Sequence, residues 1–232
     1  TKNYIKIFCI MQFKTFTLFG IRLHNVSYLE ILYSIQYAIQ NQKKLSICYA
    51  NVNSINLSCS NESIKNLFSN FDIVHPDGFG IYLGSKIIYG KEGLSKRMNG
   101  SDFYEFLIQN GIDLNFNFFF FGDEDITLNQ IICLYTKLKI VGTQNGYKFD
   151  NLALINKINQ SGADILIVGL GTPKQEEWIV QNKQELKVNV IISVGDGIKV
   201  FSGTKKRGKK ILQIIGLEWL VRLFFFFFLL WK

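Results

Sequence analysis

A chain of 232 residues, 48% of them hydrophobic and only two of them proline, can bury one sizeable core and is too apolar for a disordered or collagen-like polymer. Its formal charge of +8 at pH 7 points to an acidic partner such as a nucleic acid, an anionic membrane or a phosphorylated substrate. The four cysteines, Cys9, Cys48, Cys59 and Cys133, form no CxxC pair and have only His24 and His75 for company, which excludes a local zinc site and reads as reduced thiols of a cytosolic protein.

The first run, YIKIFCIMQFKTFTLFG, is apolar but interrupted by Lys6, Gln12 and Lys14, which argues against a signal peptide or an inserted segment. The chain opens on Thr1, so the expectation is a fragment or upstream translation, with Met11 a candidate start. Short β-rich runs predict strands at 16–21, 44–50, 115–122, 138–143, 163–170 and 188–195. Between the first two, Ser27 is a good N-cap for a helix with Leu29, Leu32, Ile35 and Ile39 on one face. Further helices are expected from near Asn61, Gly78, Ser101, Glu124, Asp150 and Pro173. This alternation predicts an α/β fold: a single Rossmann-like domain whose mainly parallel sheet is flanked by helices.

In such sheets ligands bind beyond the carboxyl ends of the strands, and three predicted ends carry glycine: FFFFGDED, VGLGTPKQEEW and SVGDGIKVFSG. None is a dinucleotide fingerprint and no Walker A sequence is present, which leaves a phosphate-bearing ligand of another kind. Asp77 stands between a proline and a glycine in DIVHPDGFGIYLGSKIIYG, where a carboxylate serves either as a helix N-cap or as a proton acceptor. The run KKRGKK at 205–210 holds five cations shortly before an aromatic terminus, a juxtaposition that favours a membrane surface over nucleic acid.

Seven segments in one order, NVNSINLS, PDGFGI, KRMNGSDFYEFL, FFFFGDED, VGLGTPKQEEWI, SVGDGIKVFSG and GLEWLVRL, resemble the WecG/TagA/CpsF family of bacterial glycosyltransferases. The resemblance implies an inverting, metal-independent transfer that needs no cofactor. An N-acetylhexosamine-type sugar would move from a UDP donor to an undecaprenyl-diphosphate-linked sugar during cell-surface polysaccharide or teichoic acid synthesis. It also implies a cytoplasmic enzyme, peripheral at the inner face of the membrane.

Residue by residue, the resemblance makes Asp77 the general base and puts Asn51 beside the pocket. It gives Arg97 a diphosphate to hold and lets Asp102 orient that arginine or a sugar hydroxyl, though an acid in a first helical turn also suits the helix dipole. Gly169, Gly171, Thr172, Gln175 and Gly195 would form the nucleotide side, with Gln175 suited to a sugar or uracil edge, and Arg222 would clamp the leaving diphosphate. Trp178 is expected in the core, Asp196 pointing away from the ligand, His75 as a partly buried strand-end histidine near Asp77, and the DED at 123–125 as a helix start rather than a metal site.

The chain departs from the family at Tyr49, where many members have threonine, at TKKRGKK, where RAP is usual, and at FFFFFLLWK, where a proline and arginines are usual. These departures keep a second reading open, a catalytically inactive, membrane-associated nucleotide-sugar-binding homologue. The expected division is an N-terminal extension at 1–15, the glycosyltransferase domain at 16–222 and an apolar tail at 223–232. That tail is too short to span a bilayer, which needs about 20 apolar residues, and reads as interfacial or degenerate. No feature selects an oligomeric state.

Overall fold

The computed structural model describes residues 13–204. The N-terminal run to Gln12, the KKRGKK cluster, Arg222 and the aromatic tail lie outside the described residues. The first described element is a hairpin, β1 (Thr15–Leu18) with β2 (Ile21–His24), followed by helix α1 (Tyr28–Gln40). Then come β3 (Leu45–Ala50), α2 (Val52–Ser60), α3 (Glu62–Phe68), β4 (Ile73–Pro76), α4 (Phe79–Tyr89), a 3₁₀ turn at Gly90–Glu92 and α5 (Gly100–Asp113). The rest alternates as β5 (Asn117–Gly122), α6 (Asp125–Leu134), β6 (Lys139–Gln144), α7 (Asn151–Gln160), β7 (Ile165–Gly169), α8 (Lys174–Asn182), β8 (Val190–Ser193) and α9 (Gly197–Phe201).

Six of the strands form one parallel sheet in the order β4-β3-β8-β7-β5-β6, the Rossmann-like α/β arrangement that the alternation predicted. Because side chains alternate along a strand, each face receives its own apolar set. Ile47, Phe118, Phe120, Ile165, Ile167 and Ile192 meet α1, α5, α6 and α9 on one face. Cys48, Phe119, Phe121, Leu166, Val168 and Ile191 meet α7, α8 and the β1–β2 hairpin on the other. Helix starts follow local chemistry: Ser27 and Glu30 form a capping box on α1, and Asp150 caps α7 through the Ala153 amide at 2.8 Å.

The single strand expected at 16–21 is instead that hairpin. Phe19 and Gly20 both adopt positive φ, +48° and +85°, as a two-residue turn matched to strand twist requires. The sequence pattern does not mark α2 and α9, both short, and marks β4 only by the strand end at His75; β4 ends in Pro76, a residue that a sheet tolerates at its edge. The edge is closed partly by a side chain. The Val74 amide donates to Nδ1 of the buried His24 at 3.0 Å, and burial holds that imidazole below its ordinary pKa of 6.5, in the neutral form that accepts.

The topology leaves a crevice between the carboxyl ends of β5 and β7. From β5 the chain turns onto the face of α6, and from the adjacent β7 it turns onto the opposite face through α8, so nothing crosses between the two carboxyl ends. A first expected outcome concerns the edge. His24→Leu strands the Val74 amide and should cost roughly 1–3 kcal/mol in urea denaturation at pH 7.5. A histidine whose pKa is depressed stabilises above its unfolded pKa and loses that contribution as pH falls, so the gap between variant and parent should narrow at pH 5.5.

Candidate active site

At that crevice lies a cleft of about 440 Å³. Gly169 and Gly171 line it from the end of β7, Gly195 and Asp196 from the end of β8, Asp123 from the end of β5, and Tyr147 from the loop after β6. Gly171 has φ +79°, and a Cβ there would meet no atom within 4 Å, so this backbone borders open space. Lys174 and Lys199 line the cleft and α8 begins beside Gly171, which offers positive charge to an anion there, while the carboxylates Asp123, Glu177 and Asp196 line it as well. Asp123, only 7% exposed, holds Lys199 at 3.8 Å, and its other oxygen accepts from the Glu124 amide at 2.8 Å. Trp178 is in the core as expected, edge-on to Phe121 at 4.9 Å, with only its rim at the cleft. Asp196, expected to turn away, lines the cleft because it occupies the tight turn that opens α9.

Behind the cleft is a buried polar lock. Gln175 is fully buried; its Oε1 accepts from the Gly195 amide at 2.8 Å, and its Nε2 donates to Glu176 Oε1 at 2.7 Å and to Thr172 Oγ1 at 3.4 Å. The amide expected at a sugar or uracil edge is therefore engaged within the protein, with Thr172 beside it. Glu176 is equally buried and takes a further bond from Ser193 at 3.3 Å. Burial drives its pKa up to about 7 against the pull of these donors. Tyr49 packs into the same lock: a Cβ on Gly195, whose φ is +51°, would collide with the Tyr49 hydroxyl, and burial pushes that phenol up to about 12.

A second group of predicted residues gathers at the end of β4. The Asp77 amide donates to Ala50 O at 2.9 Å, and Asp77 Oδ1 accepts from the Gly100 amide at 2.7 Å. The carboxylate therefore caps α5 from outside, whereas the helix that follows it in sequence, α4, has Gly78 as its N-cap residue and no side-chain cap. Asn51 caps α2, accepting from the Ser54 amide at 3.0 Å. Arg97 lies with its guanidinium carbon 6.0 Å from the centre of the Phe79 ring, and Asp102 is exposed in the first turn of α5. The Tyr28 hydroxyl donates to Asn99 O at 3.0 Å at the start of α5, and burial raises its pKa, with the charges of Asp102 and Asp77 adding to that shift and Arg97 opposing it. His75, fully buried, sits behind Asp77 with its ring 6.3 Å from Tyr49 and 5.5 Å from Phe103, and burial lowers its pKa while Asp77 pulls the other way.

One phenol joins the two groups. Tyr104 donates from its hydroxyl to Val194 O at 3.4 Å, next to Gly195, and a Cβ on Gly100 would lie 3.4 Å from both that hydroxyl and Asp77 Oδ1. Tyr104 thus links the start of α5, which Asp77 caps, to the end of β8, from which Gly195 enters the cleft. Tyr104 lies within KRMNGSDFYEFL and Lys199 within SVGDGIKVFSG, where nothing in the local pattern separates either from an ordinary helix residue. Tyr147 carries no signal at all.

The glycosyl transferase WecG/TagA/CpsF family model matches residues 16–232. Two curated proteins named N-acetylglucosaminyldiphosphoundecaprenol N-acetyl-beta-D-mannosaminyltransferase are similar to the chain. The protein of Staphylococcus aureus (strain NCTC 8325 / PS 47) is 24% identical over 209 residues, covering 88% of this chain and 82% of that relative. The protein of Bacillus spizizenii is 29% identical over 202 residues, covering 85% and 76%.

The lock carries a second expected outcome. A carboxyl whose pKa rises on folding stabilises fully below its unfolded value of 4.5 and loses that contribution as pH climbs through about 7. Glu176→Gln keeps a neutral hydrogen-bonding group and should match the parent near pH 4.5. At pH 8 it should exceed the parent by up to about 3 kcal/mol, read from urea midpoints. A gap independent of pH would mean that Glu176 does not titrate in the lock.

Proposed function

The chain belongs to the WecG/TagA/CpsF family of glycosyl transferases, and from that premise we propose that it moves an N-acetylhexosamine-type sugar from a UDP donor to an undecaprenyl-diphosphate-linked sugar. The observation that carries this reading is that the Tyr104 hydroxyl stands between Val194 O, at the edge of a cleft lined by Lys174 and Lys199, and the start of α5, which the Asp77 carboxylate caps. The names of both relatives support an N-acetylmannosaminyl donor sugar and an N-acetylglucosaminyl acceptor carried on the lipid diphosphate. The product would enter a cell-wall or surface polymer.

In this reading the diphosphate of the donor lies along Gly169–Gly171 at the start of α8, with Lys174 and Lys199 as countercharges. Lys174, Lys199 and the start of α8 take the place of a divalent ion at the diphosphate in this reading, with Lys199 moving from Asp123 to the phosphate oxygens. The acceptor enters on the Asp77 side, near Asn51 and Arg97. Asp77 takes the proton of its hydroxyl, the oxygen attacks the anomeric carbon from the face opposite the phosphate, and the carbon–oxygen bond to the diphosphate breaks, so UDP leaves with the electron pair and the anomeric centre inverts. Gln175 and Thr172 act from behind, by fixing Gly195. Arg222, beyond the described residues, completes the set as a further clamp on the leaving group. No helix among the described residues is long and apolar enough to cross a membrane, and the reading places the enzyme peripherally at the inner face of the cytoplasmic membrane.

The test is incubation with a panel of UDP-sugars and a short-chain lipid diphosphate acceptor, following UDP release and product mass. Donor binding with no transfer would return the inactive homologue. Within the same assay, Asp77→Asn keeps the oxygen that accepts from Gly100 but loses the proton acceptor. Turnover should fall by roughly 10² to 10⁴ with melting temperature and UDP affinity little changed. Near-normal turnover in the folded variant would remove Asp77 as the base. Gly171→Val sets a branched side chain in the open cleft at a positive φ and should abolish measurable UDP binding; unchanged affinity in a folded variant would take this turn out of the donor site.

A further inference from the structure

We propose that the outward face of α4 is a docking surface for an anionic lipid bilayer, set beside Asp77. The helix reads FGIYLGSKIIY and contains no carboxylate. It buries Ile81 and Ser85 against the protein, yet its other side is also apolar: Leu83 is 45%, Ile87 76% and Ile88 52% exposed. Val52, half exposed, lies against Gly80 and carries the stripe towards the start of the helix. Single exposed apolar residues are ordinary on a soluble protein, whereas a contiguous stripe along one helix marks a contact surface.

Charge selects the occupant. From Gly78 to Lys96 the cations are Lys86, Lys91 and Lys96, and the only carboxylate is Glu92, which Lys14 engages. A second copy of the chain would bring two like-charged rims together. An anionic headgroup layer accepts both features, with apolar side chains entering the acyl boundary and lysines meeting phosphates. An eleven-residue helix of about 16 Å lies in such an interface rather than across it. Its first residue, Phe79, follows Asp77 by two positions, so a membrane held on this face brings the lipid surface to the acceptor side of the site. The purpose of the surface rests on the proposed lipid-linked acceptor; its existence does not.

Full-length chain is sedimented with vesicles of phosphatidylcholine containing a quarter phosphatidylglycerol, and with phosphatidylcholine alone. The expected result is partition onto the anionic vesicles that falls at least tenfold in Leu83→Ser/Ile87→Ser, while Lys86→Glu/Lys91→Glu loses the preference for phosphatidylglycerol. Turnover on a water-soluble acceptor should be unchanged in both variants, and turnover on a vesicle-embedded acceptor should fall with partition. Equal partition of parent and Leu83→Ser/Ile87→Ser would overturn the proposal. So would a parent dimer in sedimentation velocity that this variant dissociates with vesicle binding intact, since the face would then join two copies. Absence of turnover in the parent would sink the transferase reading alone and leave vesicle partition to decide the surface.

Discussion

The hydrogen bond from the Gly195 amide to the Gln175 side chain holds together what the sheet alone would leave apart. Parallel strands β7 and β8 are paired along their length, but past their carboxyl ends no ladder fixes the loops. A fully buried amide cannot exchange that partner for water, so its geometry is imposed on the loop. The remaining contacts follow. Glu176 must supply an oxygen to the Gln175 amide nitrogen, Thr172 closes the other side, and Gly195 must lack a side chain because Tyr49 fills the space that one would need.

With Gly195 fixed, the two halves of the site acquire a fixed spacing. Tyr104 bonds the backbone just before Gly195, and Asp77 caps the start of the helix that carries Tyr104, so the position of the carboxylate is tied through α5 to the loop that borders the cleft. Asp77 is doubly constrained, by its own amide on Ala50 and by the Gly100 amide on its carboxylate. A side chain held this way loses little rotamer freedom when a substrate arrives, which is what positioning for proton transfer requires.

The alternation of elements, most helix starts and the three glycine-bearing strand ends were legible because they follow from local rules: apolar period, capping residues and the permissiveness of glycine. The hairpin at Phe19 and Gly20 was not, since a phenylalanine in a positive-φ turn goes against residue preference and is held there by tertiary packing. The cap given by Asp77 was legible as a cap but not as one for a helix that begins 23 residues later. Gln175 shows the limit most clearly. Its residue type suited a ligand edge, and whether it faces the ligand or the loop behind depends on how deeply α8 packs against β8, which no local pattern encodes.

The four consecutive phenylalanines of β5, Phe118 to Phe121, are each fully buried, two under each layer of helices. Both neighbours of this strand, β6 and β7, come later in the chain. During synthesis the run therefore waits for its partners, at ~5–20 residues per second for a few seconds, as a short, uncharged, aromatic segment of the kind that stacks with copies of itself. The acidic residues Asp123, Glu124 and Asp125 that follow at once act as gatekeepers in that interval, since their mutual repulsion opposes in-register stacking of nascent chains before the sheet can take the strand in.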